Sequence, residues 1–130
     1  MQITLDNPPT APAPLSPYYS QVARVELPGG GALLQLSGQV AEGPDLAAQS
    51  RGIFEAIGAI LEAHGASLAD VINIRTYLTD ISRLAEYGAV RRACFPGTPP
   101  TSTTVEVSKL FLDWAQIEVE VVAALPAGRS

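Results

Sequence analysis

"DLAAQSRGIFEAIGAILEAHGASLADVINIRTYLTDI", residues 45–81, contains one change of hydrophobic period, and that change decides the fold. From Asp45 to His64 the apolar residues Leu46, Ile53, Phe54, Ile57, Ile60 and Leu61 recur at helical spacing, and Gly65 follows as a C-cap candidate. The next run, "VINIRTYLT" (71–79), is rich in β-branched and aromatic residues and reads as a strand. Asp80 and Ser82 then offer capping groups for a second helix through about Phe95. Helix, strand and helix in succession predict a sheet with helices packed on it.

Toward the C-terminus two more strands are expected, at about 102–110 and 116–125, joined by "FLDWA", with "PAGRS" (126–130) as a tail. Toward the N-terminus, "ARVEL" (23–27) and "LLQLSGQV" (33–40) flank the turn material "PGGG" (28–31) and predict a hairpin. Ser37-Gly38 interrupts its second strand, and a Gly there marks a bulge or a close approach by another group. Residues 7–17, "NPPTAPAPLSP", hold five prolines and predict an extended arm, placed at residues 1–14 of a single domain spanning 1–130. The expected order is β-β-α-β-α-β-β.

Period-two alternation sorts the last two strands. Val105 and Val107 with Ile117, Val119 and Val121 form an apolar set; Ser102, Thr104, Glu106, Gln116, Glu118 and Glu120 form the opposite one. Paired as a hairpin centred near 111–113, these strands bring Glu106 close to Glu118. Two readings follow: a carboxylate cluster with a raised pKa that serves as general acid or base, or an ordinary solvated face. "PPTSTTVEV" (99–107) raises a parallel choice, its hydroxyls Thr101 to Thr104 being the polar wall of a pocket or only a strand entry.

The bulk properties narrow the function classes. At 130 residues, with 47% apolar and only 16% charged side chains, the chain suits one domain with surface left for self-association. A net charge of -5 disfavours nucleic acid, whose binding rests on clustered Lys and Arg. One cysteine, Cys94, and one histidine, His64, cannot build a four-ligand zinc site or an internal disulfide, so no metal is expected. No apolar run approaches the length of a membrane span or follows a basic leader, so a cytoplasmic protein without membrane contact is expected. Cys94 reads as a buried small hydrophobe, His64 as a helix-terminal residue and Trp114 as a packing residue in the final loop.

Taken in order, "SPYYSQ" (16–21), "LQLSGQV" (34–40), residues 45–81, and "STTVEVSKL" followed by "IEVEVVA" resemble the Rid family, the reactive-intermediate deaminases also known as YjgF or L-PSP-like proteins. The resemblance covers about residues 15–124. It implies a chorismate-mutase-like α+β fold, a barrel-like homotrimer, small-molecule ligands bound in clefts between subunits, and no cofactor. It carries the family's water-positioning glutamate over to Glu118, its pocket tyrosine to Tyr18, and its site-lining Ser-Gly to Ser37 and Gly38. The family's substrate-binding arginine aligns with Ser102, with Thr104 beside it, and an asparagine of deaminating members aligns with Gly88. Both are departures: a hydroxyl stands where a carboxylate clamp is usual, and Arg75 is left either as a replacement cation or as an interface ion-pair partner. Two functions are implied, an imine or enamine hydrolase using Glu118, or a binding module that kept the clefts without the chemistry. A third, RNA cleavage, runs against the acidic charge.

Overall fold

The helix expected after Asp45 is α1 (Leu46–Ala63), and its ends are fixed by the residues that predict them. The Asp45 carboxylate accepts a hydrogen bond from the Ala48 N–H at 2.8 Å, satisfying a donor that the first turn leaves free. At the other end Gly65 takes a left-handed φ of 81°. Gly65 N–H donates to Glu62 O and Ala66 N–H to Leu61 O, the paired closing bonds of a glycine-terminated helix.

Described over residues 1–128 in a computed structural model, the chain runs β1 (Ile3–Asp6), β2 (Val22–Glu26), β3 (Ala32–Leu36), α1, β4 (Val71–Leu78), α2 (Leu84–Cys94), β5 (Thr101–Glu106) and β6 (Ile117–Leu125). All six strands join one sheet in the order β1-β2-β3-β6-β4-β5, antiparallel except for the β4/β5 pair. Both helices lie on one face, so the fold is α+β. The apolar stripe of α1, including Ile53, Ile57 and Ile60, packs on Leu34, Ile74, Leu78, Ile117, Val119 and Val121. Phe54 of α1 stacks on Tyr87 of α2, whose hydroxyl shares a 2.6 Å hydrogen bond with Thr76 of β4 inside the core. The other face carries Ala23, Val25, Leu33, Asn73, Arg75, Tyr77, Glu118 and Glu120 with no helix over it.

Three expectations are corrected. The final two strands do not form a hairpin: β6 lies between β3 and β4, while α2 carries the chain over to place β5 parallel to β4. Glu106 is consequently not beside Glu118; it caps the Ile81 N–H at 3.0 Å beyond the end of β4. The parity of β5 also differs, for Val105 pairs with Tyr77 on the open face and is 40% exposed, while Ser102 and Thr104 share the side of Ile74 and Thr76. On an edge strand the neighbour's register, and not apolar content, sets which face is which. Third, a strand absent from the expected order, β1, occupies part of the arm and pairs with β2. Asp80 caps a short 3-10 turn, Ile81–Arg83, that leads into α2. Positions 129 and 130 of the predicted tail lie outside the described residues.

Candidate functional site

β6 delivers Glu118 and Glu120 to the open face, opposite Tyr77 and Arg75 of β4. On the other side, the β3 segment is interrupted as the sequence suggests. Gln35 pairs with Val122, but Gln39 bridges Val119, so one extra residue is accommodated around Ser37-Gly38. Gln39 and Val119 exchange backbone hydrogen bonds of 2.8 and 3.1 Å, locking the segment after the bulge onto β6.

This bulge seats the Glu118 side chain against the backbone of Gly38. A Cβ at position 38 would lie 2.1 Å from Glu118 Oε2 and 2.8 Å from its Cδ. Only glycine leaves room for the carboxylate here. Glu118 is half-buried, and among the described residues its carboxylate takes no hydrogen bond. Burial first, and the neighbouring Glu120 carboxylate second, raise its pKa above the ordinary glutamate range. Glu120, by contrast, accepts a short 2.5 Å hydrogen bond from the Tyr77 hydroxyl. The two carboxylates therefore differ chemically: Glu120 is engaged by a phenol hydroxyl, and Glu118 is not.

Glu118, Ser37 and Gly38 line a cavity of about 300 Å³ with Ser16, Tyr19 and Phe111. Tyr19 and Phe111 are loop residues that sequence periodicity does not single out, and they give the cavity aromatic walls. Tyr18 sits on an adjoining concavity that shares Ser37 and Gly38 and reaches Glu120; its own side chain is 92% exposed. The surrounding loops are held by a buried amide pair, Gln39 Nε2–H donating to Gln21 Oε1 at 2.8 Å. Gln21 Nε2–H in turn donates to Pro12 O at 3.0 Å, and the Gln21 backbone N–H donates to the side-chain Oδ1 of Asn7 at 2.8 Å. The Ser37 hydroxyl donates to Ser20 O at 2.7 Å, and the Tyr19 hydroxyl accepts the Leu15 N–H at 2.9 Å. The proline-rich arm thus forms one wall of the site.

Ser102 and Thr104 are not brought to Glu118 within one chain. They lie on β5, on the helix side, where Arg91 of α2 donates to Ser102 Oγ at 3.0 Å and Thr104 borders a groove beneath α2. Arg75 stands on the open face beside Glu120. His64 pairs with Asp6 at 2.9 Å, tying α1 to β1, and Trp114 offers its carbonyl to Gln49. No three His, Cys, Asp or Glu side chains among the described residues are grouped to hold a metal ion. No helix among them is long and apolar enough to cross a membrane.

The chain is 37% identical to a RutC family protein of Pyrococcus horikoshii over 121 residues, covering 87% of this chain and 90% of that protein. It is 32% identical over 123 residues to the 2-iminobutanoate/2-iminopropanoate deaminase of Escherichia coli, covering 87% and 91%. Among solved structures, a Mycobacterium tuberculosis member of the YjgF/YER057c/UK114 family superposes with a TM-score of 0.80 at 31% identity, over 94% of this chain and 98% of that one. The family described as endoribonuclease L-PSP matches residues 8–125. With its sheet order, its covered and open faces and nearly its whole length accounted for, the chain belongs to the L-PSP family, the YjgF and RutC group.

Proposed function

We propose that the protein hydrolyses a small imine or enamine, with Glu118 as the group that orients and deprotonates the attacking water. The observation that carries this reading is an unengaged, half-buried carboxylate of raised pKa seated on Gly38 in a cavity of small-molecule size. The similarity to an iminobutanoate deaminase supports the reaction class. Water gives a proton to Glu118 as its oxygen adds to the imine carbon. Nitrogen takes that proton to give the neutral amino alcohol; Glu118 then accepts the proton of the new hydroxyl and returns it to nitrogen as the carbon–nitrogen bond breaks, leaving a ketone and ammonia. A base slightly stronger than a surface glutamate suits the first step and returns the proton in the second. Tyr19 and Phe111 favour a substrate with an apolar body.

The working form on this reading is a cytoplasmic homotrimer whose open sheet faces pack together, as the resemblance implies. An uncovered face carrying Val25, Leu33 and Val105 supports burial against further copies of the chain. Such packing would let β5 of one copy bring Ser102 and Thr104 toward Glu118 of the next, with Tyr18 at the rim. The experiment is ketone release from enzymatically generated imino acids. Wild-type turnover abolished by Glu118→Ala supports the proposal; a wild-type rate equal to background and unchanged by that substitution refutes it.

A second reading, a binding module without turnover, is favoured by one observation: the aligned arginine position is Ser102, whose hydroxyl is taken by Arg91. It predicts ligand-induced stabilisation without ketone release. RNA cleavage, the activity in the family's description, is not proposed, since a net charge of -5 gives a phosphate backbone little to bind.

A further inference from the structure

On the helix side of the sheet, away from Glu118, α2 and the start of β5 enclose a groove of about 260 Å³. Arg91 and Arg92 both line it, and no Asp or Glu does. Neither arginine forms an ion pair among the described residues. In an acidic chain this is a cationic concavity without an internal counter-charge. Arg91 is also positioned: its Nη1–H donates to Ser102 Oγ at 3.0 Å, and its guanidinium lies 6.0 Å from the centroid of the Tyr87 ring. A helix-end arginine that served only the helix dipole would turn back to the last carbonyls. This one reaches across to β5, and a guanidinium held by a neutral hydroxyl and a ring keeps donors to spare for an anion. Phe95 and Tyr87 supply apolar walls and Thr104 a hydroxyl.

We propose that this groove is an anion subsite, in which Arg91, supported by Arg92, holds the carboxylate or phosphate of a small ligand whose flat apolar body lies against Phe95. The subsite stands on this groove alone and not on the assembly or chemistry proposed above. In that assembly it becomes the anion-holding end of the cleft, supplying from α2 the cation that Ser102 does not.

The test is titration of the full chain with benzoate, phenyl phosphate and benzamide, followed by amide and arginine Nε chemical shifts. Benzoate or phenyl phosphate should move Gly88 and Arg91 resonances at concentrations at least tenfold below those needed for benzamide, and the tighter of the two anions identifies the head group. Arg91→Ala should weaken anion binding tenfold to a hundredfold, the range set by about 1.5 to 3 kcal/mol for a charged hydrogen bond. It should leave benzamide unchanged. Gly88→Phe fills the groove at a position where a Cβ meets nothing within 4 Å, and should block all three without touching a charge. Equal affinity for benzoate and benzamide, shifts located away from α2, or full anion affinity in Arg91→Ala or Gly88→Phe would overturn the proposal. Because binding and not turnover is read, loss of catalysis in Glu118→Gln leaves this result unaffected.

Discussion

Replacing Gly38 by alanine tests whether the seat of Glu118 matters. The added Cβ would lie 2.1 Å from Oε2, and an ordinary contact begins near 3.4 Å, so the oxygen must retreat by the difference, about 1.3 Å. The atoms met first belong to the free end of a side chain, so the backbone can stay in place. Relieving the clash by an off-rotamer Glu118 costs about 0.5–1.5 kcal/mol, a fall of a few degrees in melting temperature. The catalytic cost is larger. Displacing a water-positioning carboxylate by about 1 Å lowers rate on the order of a hundredfold, equivalent to about 2.7 kcal/mol at about 1.36 kcal/mol per tenfold. Imino-acid hydrolysis and thermal unfolding measured on the same preparation separate the two effects. A folded Gly38→Ala protein with undiminished turnover would refute the role assigned to the Gly38–Glu118 contact.

Other outcomes follow from the same geometry. Because burial raises the Glu118 pKa, the folded state binds its proton more tightly than the unfolded chain, so stability falls as pH rises from the ordinary glutamate value through the raised one. Glu118→Gln should therefore raise the melting temperature at pH 7.5 and lose that advantage near pH 4, while wild-type turnover should rise with pH across the same window; a variant less stable at pH 7.5 contradicts this. Thr76→Val leaves the buried Tyr87 hydroxyl without its partner and should cost about 1–3 kcal/mol by denaturant unfolding. Adding Tyr87→Phe should cost less than the sum of the two single changes. Sedimentation equilibrium should give three times 13.6 kDa, about 41 kDa, falling in Val105→Asp; a wild-type mass of one chain argues against trimer clefts.

Much of the architecture was legible where local chemistry and tertiary packing agree. Asp45 and Gly65 mark both ends of α1, and the β-branched run after it is β4. The partner of β5 was not legible, because strands adjacent in sequence suggest a hairpin whereas the crossover through α2 takes β5 to the far side of β4. Four residues ahead of a proline cluster carry too little periodicity to reveal β1. At the site, Ser37-Gly38 was readable as a close approach. That the approaching group is Glu118 depends on β6 lying beside β3, a long-range pairing that no local pattern encodes. Tyr19 and Phe111 escaped because loop residues follow no period; the signals available were the Tyr18-Tyr19 doublet and the aromatic pair within "FLDWA".

The sheet's central position falls to β6, the last of its strands in chain order. Until that segment emerges from the ribosome, β3 and β4 each present a raw edge of unpaired amides flanked by apolar side chains, a template for adhesion between nascent chains. Closure therefore waits on a late, sequence-distant insertion, which predicts slow folding for so small a domain. It also means that premature termination before Ile117 yields an aggregating fragment instead of a smaller working protein.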